Sequence, residues 1–480
     1  MPHLYFDITD VVNYAWANDR VSGIQRVQVN LIAKLAARHG SDTIRCVFHH
    51  PRLGEMFDVD PATLFGNGEF RAADLLQRLS IEKPRRLLAP RRMVRGYLHR
   101  NAAGKWVRAL KKIDVYSSAV FMPKRLAAMG LAPVRPSMPP LALRPMSSLP
   151  RGSAYVILSV NVFSKLVTAF ARQHMAQGGE LFQLVYDLIA VERPEFFTPS
   201  MVQSYREWLD NLTVRKPRVI AISDWTARDL RRYLGHRVAG WDIQSIPLAH
   251  EFEGFERGAE VQLAAEDMGI LPAEPFILCA GTLEVRKNGD GLLRAWMQVL
   301  ERLGDQAPLL VFAGKRGWLI EGFFELLDAN PALARRVKIV DLPSDRQLAW
   351  LYRHCLFSVY PSHYEGWGLP VGESAWFGRY CIASNSSSVP EVCGALMDYV
   401  DPRDEEALAR AIERALVEPH YVAERERAIE GAPLRSWGDV AEDIFRLVTS
   451  PALRERGQAA TVGASTAERG TASLAQARAG

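Results

Sequence analysis

Two glutamates eight positions apart, Glu365 and Glu373, flank a Gly-Trp-Gly-Leu-Pro turn in the stretch SHYEGWGLPVGESAWFGRY, residues 362–380. Pro370 suits the first helical position, where its missing N–H costs nothing, so the turn is expected to end at a helix N-terminus. The free N–H groups and positive dipole end there favour an anion. Gly366 and Gly368 let the backbone approach that anion without Cβ clashes, and a phosphate is the natural guest. Glu365 then faces a cleft beside the phosphate, while Glu373, in the first helical turn, can accept a pair of hydrogen bonds from vicinal hydroxyls such as those of a ribose. Each acid alone also fits a plainer role: Glu365 as a loop surface acid, Glu373 as a charge complementing the helix dipole.

Cations stand where such a ligand needs them. The segment GTLEVRKN (281–288) puts Arg286 and Lys287 after an apolar strand, at the end of the sheet where ligands sit in open α/β folds. There they could neutralise a diphosphate leaving group without a metal. A second glycine-rich turn, AGKRGW (313–318), follows the next strand and is either a plain turn or part of the same cradle. Together these residues describe a site for a nucleoside diphosphate carrying a hydroxyl-rich group. No Asp-x-Asp metal motif falls in a suitable position, since Asp401 to Asp404 reads DPRD after a Ser-rich loop, and metal independence is expected. The five cysteines lie scattered in apolar runs with no C-x-x-C pair, which points to buried reduced thiols.

The elements that must hold these residues are legible as alternating strands and helices. In the first half, CVFHH near 46, AYVILSV (154–160), LFQLVYDLIAV (181–191) and RVIAIS (218–223) read as parallel strands buried on both faces, with a helix over 225–235. Residues 247–275 are rich in polar and turn residues and mark a boundary. Beyond it come strands 276–283, 308–314, 337–342, 356–362 and 380–384, with helices over 289–304, 318–329 and 344–355 between them. Five such steps specify a doubly wound, nucleotide-binding lobe. The expected organisation is a first Rossmann-like lobe over 1–265 and a second, nucleotide-binding lobe over 272–432. A helix within 433–450 then crosses back to the first lobe across a hinge near 250–272. The tail 457–480, with almost no bulky apolar side chains, is expected to be disordered.

At 480 residues the chain exceeds what one core sustains, which agrees with two lobes. Its composition, 48% hydrophobic and 24% charged, is that of a globular protein and excludes the fibrous and disordered classes. No apolar run approaches 18 residues and the start MPHLYFDITDVV lacks a signal-peptide layout, so a cytoplasmic protein is expected. The formal charge of +5 is unevenly spread. Eleven Lys or Arg and no acid fall within 83–112, which leaves −6 for the rest. That segment, KPRRLLAPRRMVRGYLHRNAAGKWVRALKK, reads either as a solvated insertion packed on the domain or as an interfacial helix pair on anionic lipid or an acidic acceptor. Nucleic acid is not an expected partner.

The stretch 276–400, with GTLEVRKN, FAGKRGW, SDRQLAWLY and YPSHYEGWGLPVGESAWFGRYCIASNSSSVPEVCG, resembles the donor-binding lobe of the retaining glycosyltransferases of family 4. In the first half, SGIQRV (22–27), VYDLIAVERPEFF (185–197) and AISDWTARDL (221–230) are similar to the same family, so the resemblance covers most of 4–448. It implies the GT-B architecture, two Rossmann-like lobes facing across a cleft, here with a C-terminal crossover helix and a disordered tail. It also implies that Arg286 and Lys287 bind the donor diphosphate and that Glu373 binds the ribose. Glu365, with the backbone of Gly366, Trp367, Gly368 and Leu369, would hold the sugar hydroxyls and the distal phosphate, while Gly23 would pass close to the donor phosphates. Asp187 joins Glu365, Arg286 and Lys287 as a catalytic candidate, although many members have His-Asp where this chain has Tyr186-Asp187. Many also have Arg where this chain has Thr282, so Arg286 would supply that charge.

The implied reaction moves a hexose from a GDP-, UDP- or dTDP-linked donor to an acceptor hydroxyl with retention at the anomeric carbon. The acceptor attacks on the leaving-group side and its proton passes to the departing phosphate. Resemblance in the first-lobe motifs tilts the expectation toward mannosyl or rhamnosyl transfer in bacterial surface-polysaccharide assembly. The acceptor would be lipid-linked or a growing glycan, and the basic insertion would hold the enzyme at the inner membrane face. Rival readings are a nucleotide-sugar epimerase, a sugar phosphorylase, for which no pyridoxal phosphate site is indicated, and a non-catalytic glycan-binding or scaffold protein.

Overall fold

The computed structural model describes residues 3–18, 23–51, 53–64, 72–81, 141, 143–160, 165–262, 268–270 and 274–450. The basic segment 83–112 and the tail 457–480 lie outside these residues.

Two sheets organise the chain. The first has eight strands: β1 (Leu4–Asp7), β2 (Ile44–His49), β3 (Met56–Val59), β4 (Arg144–Pro145), β5 (Ala154–Ile157), β6 (Glu180–Val185), β7 (Arg218–Ala221) and β8 (Ile243–Ser245), in the order β4-β3-β2-β1-β5-β6-β7-β8. The second has six, all parallel: β9 (Phe276–Ala280), β10 (Leu309–Gly314), β11 (Val337–Asp341), β12 (Ser358–Tyr360), β13 (Cys381–Ser384) and β14 (Asp398–Val400), in the order β11-β10-β9-β12-β13-β14. Strands such as FILCA are apolar at every position because helices cover both faces of a parallel sheet, and all five residues of β9 are buried. The five cysteines are buried and unpaired.

The four first-half runs read as parallel strands contribute β2, β5, β6 and β7, which lie in parallel ladders; the sheet adds an edge that was not expected, where β3 pairs antiparallel with β2, and β4 antiparallel with β3. One expectation is corrected: the run 181–191 is not one strand. β6 stops at Val185, and Ile189–Glu192 is helical because the Asp187 side chain accepts the Ile189 N–H at 3.0 Å and turns the chain.

Two chain segments join the lobes. On the outward path, His250 is buried against the second lobe: its Nδ1 accepts the Arg435 N–H at 2.9 Å and its Nε2 lies 2.7 Å from the Val392 carbonyl. The two bonds together make Nε2 the N–H of a neutral ring. A Cβ on Gly372 would stand 3.1 Å from the His250 Cα, so the hinge and the donor-side helix pack backbone to backbone. On the return path, Ser436 and Asp439 form a capping box that starts helix Trp437–Thr449. The Trp437 N–H bonds the Glu251 carboxylate at 2.6 Å. That helix packs on the first-lobe helix Gly23–His39, where Arg38 meets Glu442 at 3.2 Å and His39 stacks on Phe445. The crossing-back expected from its apolar spacing is therefore found.

Candidate active site

The glycine turn follows β12 and leads into helix Leu369–Trp376. Pro370 is its second residue rather than its first, and Gly368 caps it at φ +123°, a conformation that side chains rarely adopt. Glu373 consequently sits one turn in. Serines brace the turn from behind: the Glu365 N–H donates to Ser387 Oγ at 2.8 Å, and Ser388 Oγ donates to the carbonyls of Glu365 and Trp367 at 2.9 and 3.1 Å.

Glu365 is a buried counter-ion, 7% exposed, rather than an open loop acid. One oxygen meets Arg286 at 2.5 Å, while the other receives Lys287 at 2.6 Å, Ser362 Oγ at 2.6 Å and the Tyr360 hydroxyl at 2.8 Å. Burial pushes its carboxyl up, but Arg286 and Lys287 outweigh that and hold it down at about 2. Burial lowers Lys287 despite Glu365, whereas Glu365 and Glu284 outweigh burial and hold Arg286 well above its ordinary value. A lowered lysine and a lowered glutamate in one pair pull in opposite senses. The geometry favours ionised partners, because Glu365 has two cations and two hydroxyls around it. Arg286 also donates to Glu284 at 2.6 Å and to the Tyr364 carbonyl at 2.7 Å. Lys287 donates to the Tyr360 hydroxyl at 2.6 Å as well as to Glu365, which leaves its third ammonium proton for a ligand.

Both cations stand on the short turn Val285–Lys287 between β9 and helix Gly289–Leu303. Asn288, at φ +58°, ends that turn and donates to the carbonyls of Pro361 and Pro402 at 3.1 and 2.6 Å. The second glycine turn packs on the same loop: a Cβ on Gly314 would fall 1.9 Å from the Gly281 carbonyl oxygen, and one on Gly317 2.8 Å from that of Leu283. Close backbone approach thus accounts for both glycines.

First-lobe residues complete the arrangement. Gly23, at φ +30°, begins its helix with open space where a Cβ would be. One turn on, Arg26 reaches the second lobe, 2.5 Å from Asp345 and 3.4 Å from Glu373 Oε1, over the Phe252 ring. The other Glu373 oxygen accepts from Tyr352 at 2.9 Å. Burial raises the Glu373 carboxyl, with Arg26 and Tyr352 partly offsetting it. Asp187 lies beside Gly366: a Cβ on Gly366 would stand 2.0 Å from the Tyr186 carbonyl oxygen and 2.9 Å from the Asp187 Cβ. Burial raises Asp187, and Arg286 opposes that. The Tyr186 hydroxyl donates to the Leu158 carbonyl at 2.8 Å and lies 3.4 Å from the carbonyl of Ile24, the residue after Gly23.

Glu365, Arg286 and Lys287 therefore form one cluster, with Gly366 and Asp187 against it, while Glu373 anchors a second group with Arg26 and Asp345. Sequence reasoning missed Arg26, Asp345, Tyr352 and Tyr360. All four stood in motifs already quoted, Arg26 in SGIQRV, Asp345 and Tyr352 in SDRQLAWLY and Tyr360 at the start of YPSHYEGWG, but none had been given a role. Among the described residues no group of three or more His, Cys, Asp or Glu could hold a metal ion.

Residues 264–435 match the family model described as glycosyl transferases group 1. The serotype-specific mannosyltransferase WbdA of Escherichia coli is 28% identical over 258 residues, 52% of this chain and 31% of that protein. O-antigen chain mannosyltransferase B of Escherichia coli is 26% identical over 231 residues, 48% of this chain and 60% of that protein. The matched region thus spans about a third of the one relative and three-fifths of the other. Among solved structures, sucrose-phosphate synthase from Thermosynechococcus elongatus aligns at TM-score 0.55 and 18% identity, over 93% of this chain and 98% of that one. HepE from Anabaena, solved with UDP and glucose, aligns at TM-score 0.55 and 13% identity, over 94% of this chain and all of that one. Over residues 264–435 the chain is thus similar to the group 1 glycosyl transferases, and the two lobes together have the GT-B fold.

Proposed function

We propose that this protein is a retaining, family 4-type glycosyltransferase that moves a hexose, with mannose or rhamnose favoured, from a nucleoside diphosphate sugar to a lipid-linked or growing surface-polysaccharide acceptor. The observation that carries the reading is the cluster at the carboxyl ends of β9 and β12. There two partly buried cations and a helix N-terminus face the first-lobe Tyr186-Asp187 segment. In the transition state the bond from the anomeric carbon to the diphosphate oxygen breaks, and charge gathers on the leaving group. Lys287, Arg286 and the positive end of helix Leu369–Trp376 are there to meet it, and losing one such donor costs about 3–4 kcal/mol. The acceptor oxygen bonds to the same face of the carbon, and its proton passes to the departing phosphate. Glu373 takes the ribose hydroxyls, and no metal is required.

The mannosyltransferase names of the relatives support the choice of sugar. Acceptors of this kind would place the enzyme at the inner face of the membrane. No helix among the described residues is long and apolar enough to cross one.

Calorimetry on the purified chain with GDP, UDP and dTDP tests the donor site. One nucleotide is expected to bind, and Glu373→Ala and Lys287→Ala are expected to abolish it. Slow hydrolysis of the matching sugar donor without acceptor would exclude a binding-only protein. Binding unaffected by either substitution would overturn the site.

A further inference from the structure

Helix Asp224–Leu234 of the first lobe starts with N–H groups that its own lobe does not satisfy. Ser223 Oγ takes the third, from Thr226, at 3.0 Å. The first two, from Asp224 and Trp225, go to the two oxygens of Glu391, at 2.8 Å each. Glu391 belongs to the second lobe, in helix Val389–Cys393, so a carboxylate from one lobe completes a helix end in the other. The positive dipole end favours it there, and Arg228, one turn into the helix, adds a contact at 3.4 Å.

A second contact runs from the same helix end to the glycine turn. Trp225 Nε1 donates to the Tyr364 hydroxyl at 2.7 Å, and that hydroxyl donates to Asp229 on the next turn of the helix. Arg232 anchors Asp229 at 2.7 Å. Tyr364 immediately precedes Glu365, and its carbonyl accepts from Arg286. Ser387 and Ser388, which hold the Glu365 backbone, lie just before the Glu391 helix. Two routes therefore lead from one first-lobe helix end to the backbone of Glu365, one through Tyr364 and one through Glu391. Neither exists when the lobes are apart. Around them Ile189, Phe196 and Tyr364 form a small apolar cluster between the lobes, and Trp318 Nε1 bonds the Phe196 carbonyl at 2.8 Å.

We infer that the start of helix Asp224–Leu234 is a closure-dependent positioning element, in which Glu391 and Tyr364 are positioning residues that set Glu365 and Arg286 in register only when the lobes meet. The inference rests on the glycosyl-transfer reading for its kinetic consequence, but its structural consequence is independent of that reading. Lobe closure converts a helix end lacking two partners into a complete one, which favours the closed state and links it to the donor turn.

The test uses the full chain with Glu391→Gln and Tyr364→Phe. Glutamine keeps the shape but offers an amide donor to a helix N–H, and phenylalanine keeps the ring without the hydroxyl. Both variants are expected to bind the nucleoside diphosphate found by calorimetry within about threefold of the parent, because Lys287 and Glu373 lie wholly in the second lobe. Both are expected to lose about thirtyfold or more in kcat, with donor KM little changed. Small-angle scattering is expected to show both more open than the parent. Parent-like scattering and kcat in both variants would overturn the proposal. So would an equal loss of nucleotide binding and rate, which would mark plain structural damage. Were the parent to bind no nucleoside diphosphate at all, the glycosyl-transfer reading would fall, and the scattering comparison would still decide the interlobe contact.

Discussion

Lys287 and the buried Glu365 form a largely enclosed ion pair, Nζ to Oε1 at 2.6 Å, inside the very cluster that would receive a diphosphate. The pair keeps two charges out of water and holds Lys287 in place, so a ligand meets an ammonium already fixed by Tyr360 and Glu365. Preorganisation of this kind spares the ligand the entropy of ordering a lysine. It also makes each partner hostage to the other. Lys287→Met would leave the Glu365 carboxylate with Arg286 as its one cation, and Glu365→Gln would leave a crowded pair of cations, for which breaking such a pair typically costs about 3–5 kcal/mol. Urea unfolding of the two variants checks this; a loss below about 1 kcal/mol in both would show the pair to be well solvated.

Acid should weaken the fold in two steps. His250 is held neutral by burial, with its Nδ1 accepting the Arg435 N–H. Its folded pKa lies below the unfolded value of about 6.5, so its share of stability is full above that value and declines as pH falls through it. Glu365, held at about 2, contributes stability that is full above its ordinary value of 4.5 and is lost as pH falls toward 2. That share is about 3 kcal/mol before the opposing cost of burying Lys287. Thermal unfolding between pH 8 and 5 should therefore decline for the parent and decline less steeply for His250→Asn, since burial also holds down His49, His174 and His363. A parallel decline in the variant would assign the first step elsewhere.

Much of the donor lobe was legible because its strands are continuous apolar runs and its turns carry Gly and Pro at positions that only those residues fill. Helices 289–304 and 344–355 fall within a residue of Gly289–Leu303 and Asp345–His354. The antiparallel edge β3-β4 was not legible, since β4 is two residues long and sits 85 residues after β3. Glu365 was found, but its surroundings were not. A sequence shows an acid before a turn, not that Arg286, Tyr360 and Ser362 close around it. Arg26 illustrates the harder limit: its partners Asp345 and Glu373 are more than 300 positions away, and only the packing of the first-lobe helix on the hinge brings them together.

The segment 83–112 carries a prediction of its own, since eleven cations without an acid among Leu, Met, Val, Tyr and Trp suit an anionic lipid surface. Deleting it should cut sedimentation with phosphatidylglycerol vesicles at least tenfold and leave donor hydrolysis intact. Undiminished vesicle binding would return the segment to the role of a packed surface insertion.

Gly366 is the point where the lobes meet backbone to backbone, and here the sequence offered the right residue for an incomplete reason. Its lack of a side chain was read as room for a phosphate, yet the atom a Cβ would strike is the Tyr186 carbonyl oxygen, 2.0 Å away. Neither that carbonyl nor the Asp187 Cβ at 2.9 Å is the end of a flexible side chain, so alanine can be admitted only by moving the lobes apart. Each lobe keeps its own sheet, so Gly366→Ala should unfold within a few degrees of the parent. It should nonetheless be more extended in solution, bind nucleoside diphosphate nearly as well and transfer sugar at least a hundredfold more slowly. Parent-like transfer by this variant would mean that the contact between Gly366 and Tyr186 is not required for the reaction.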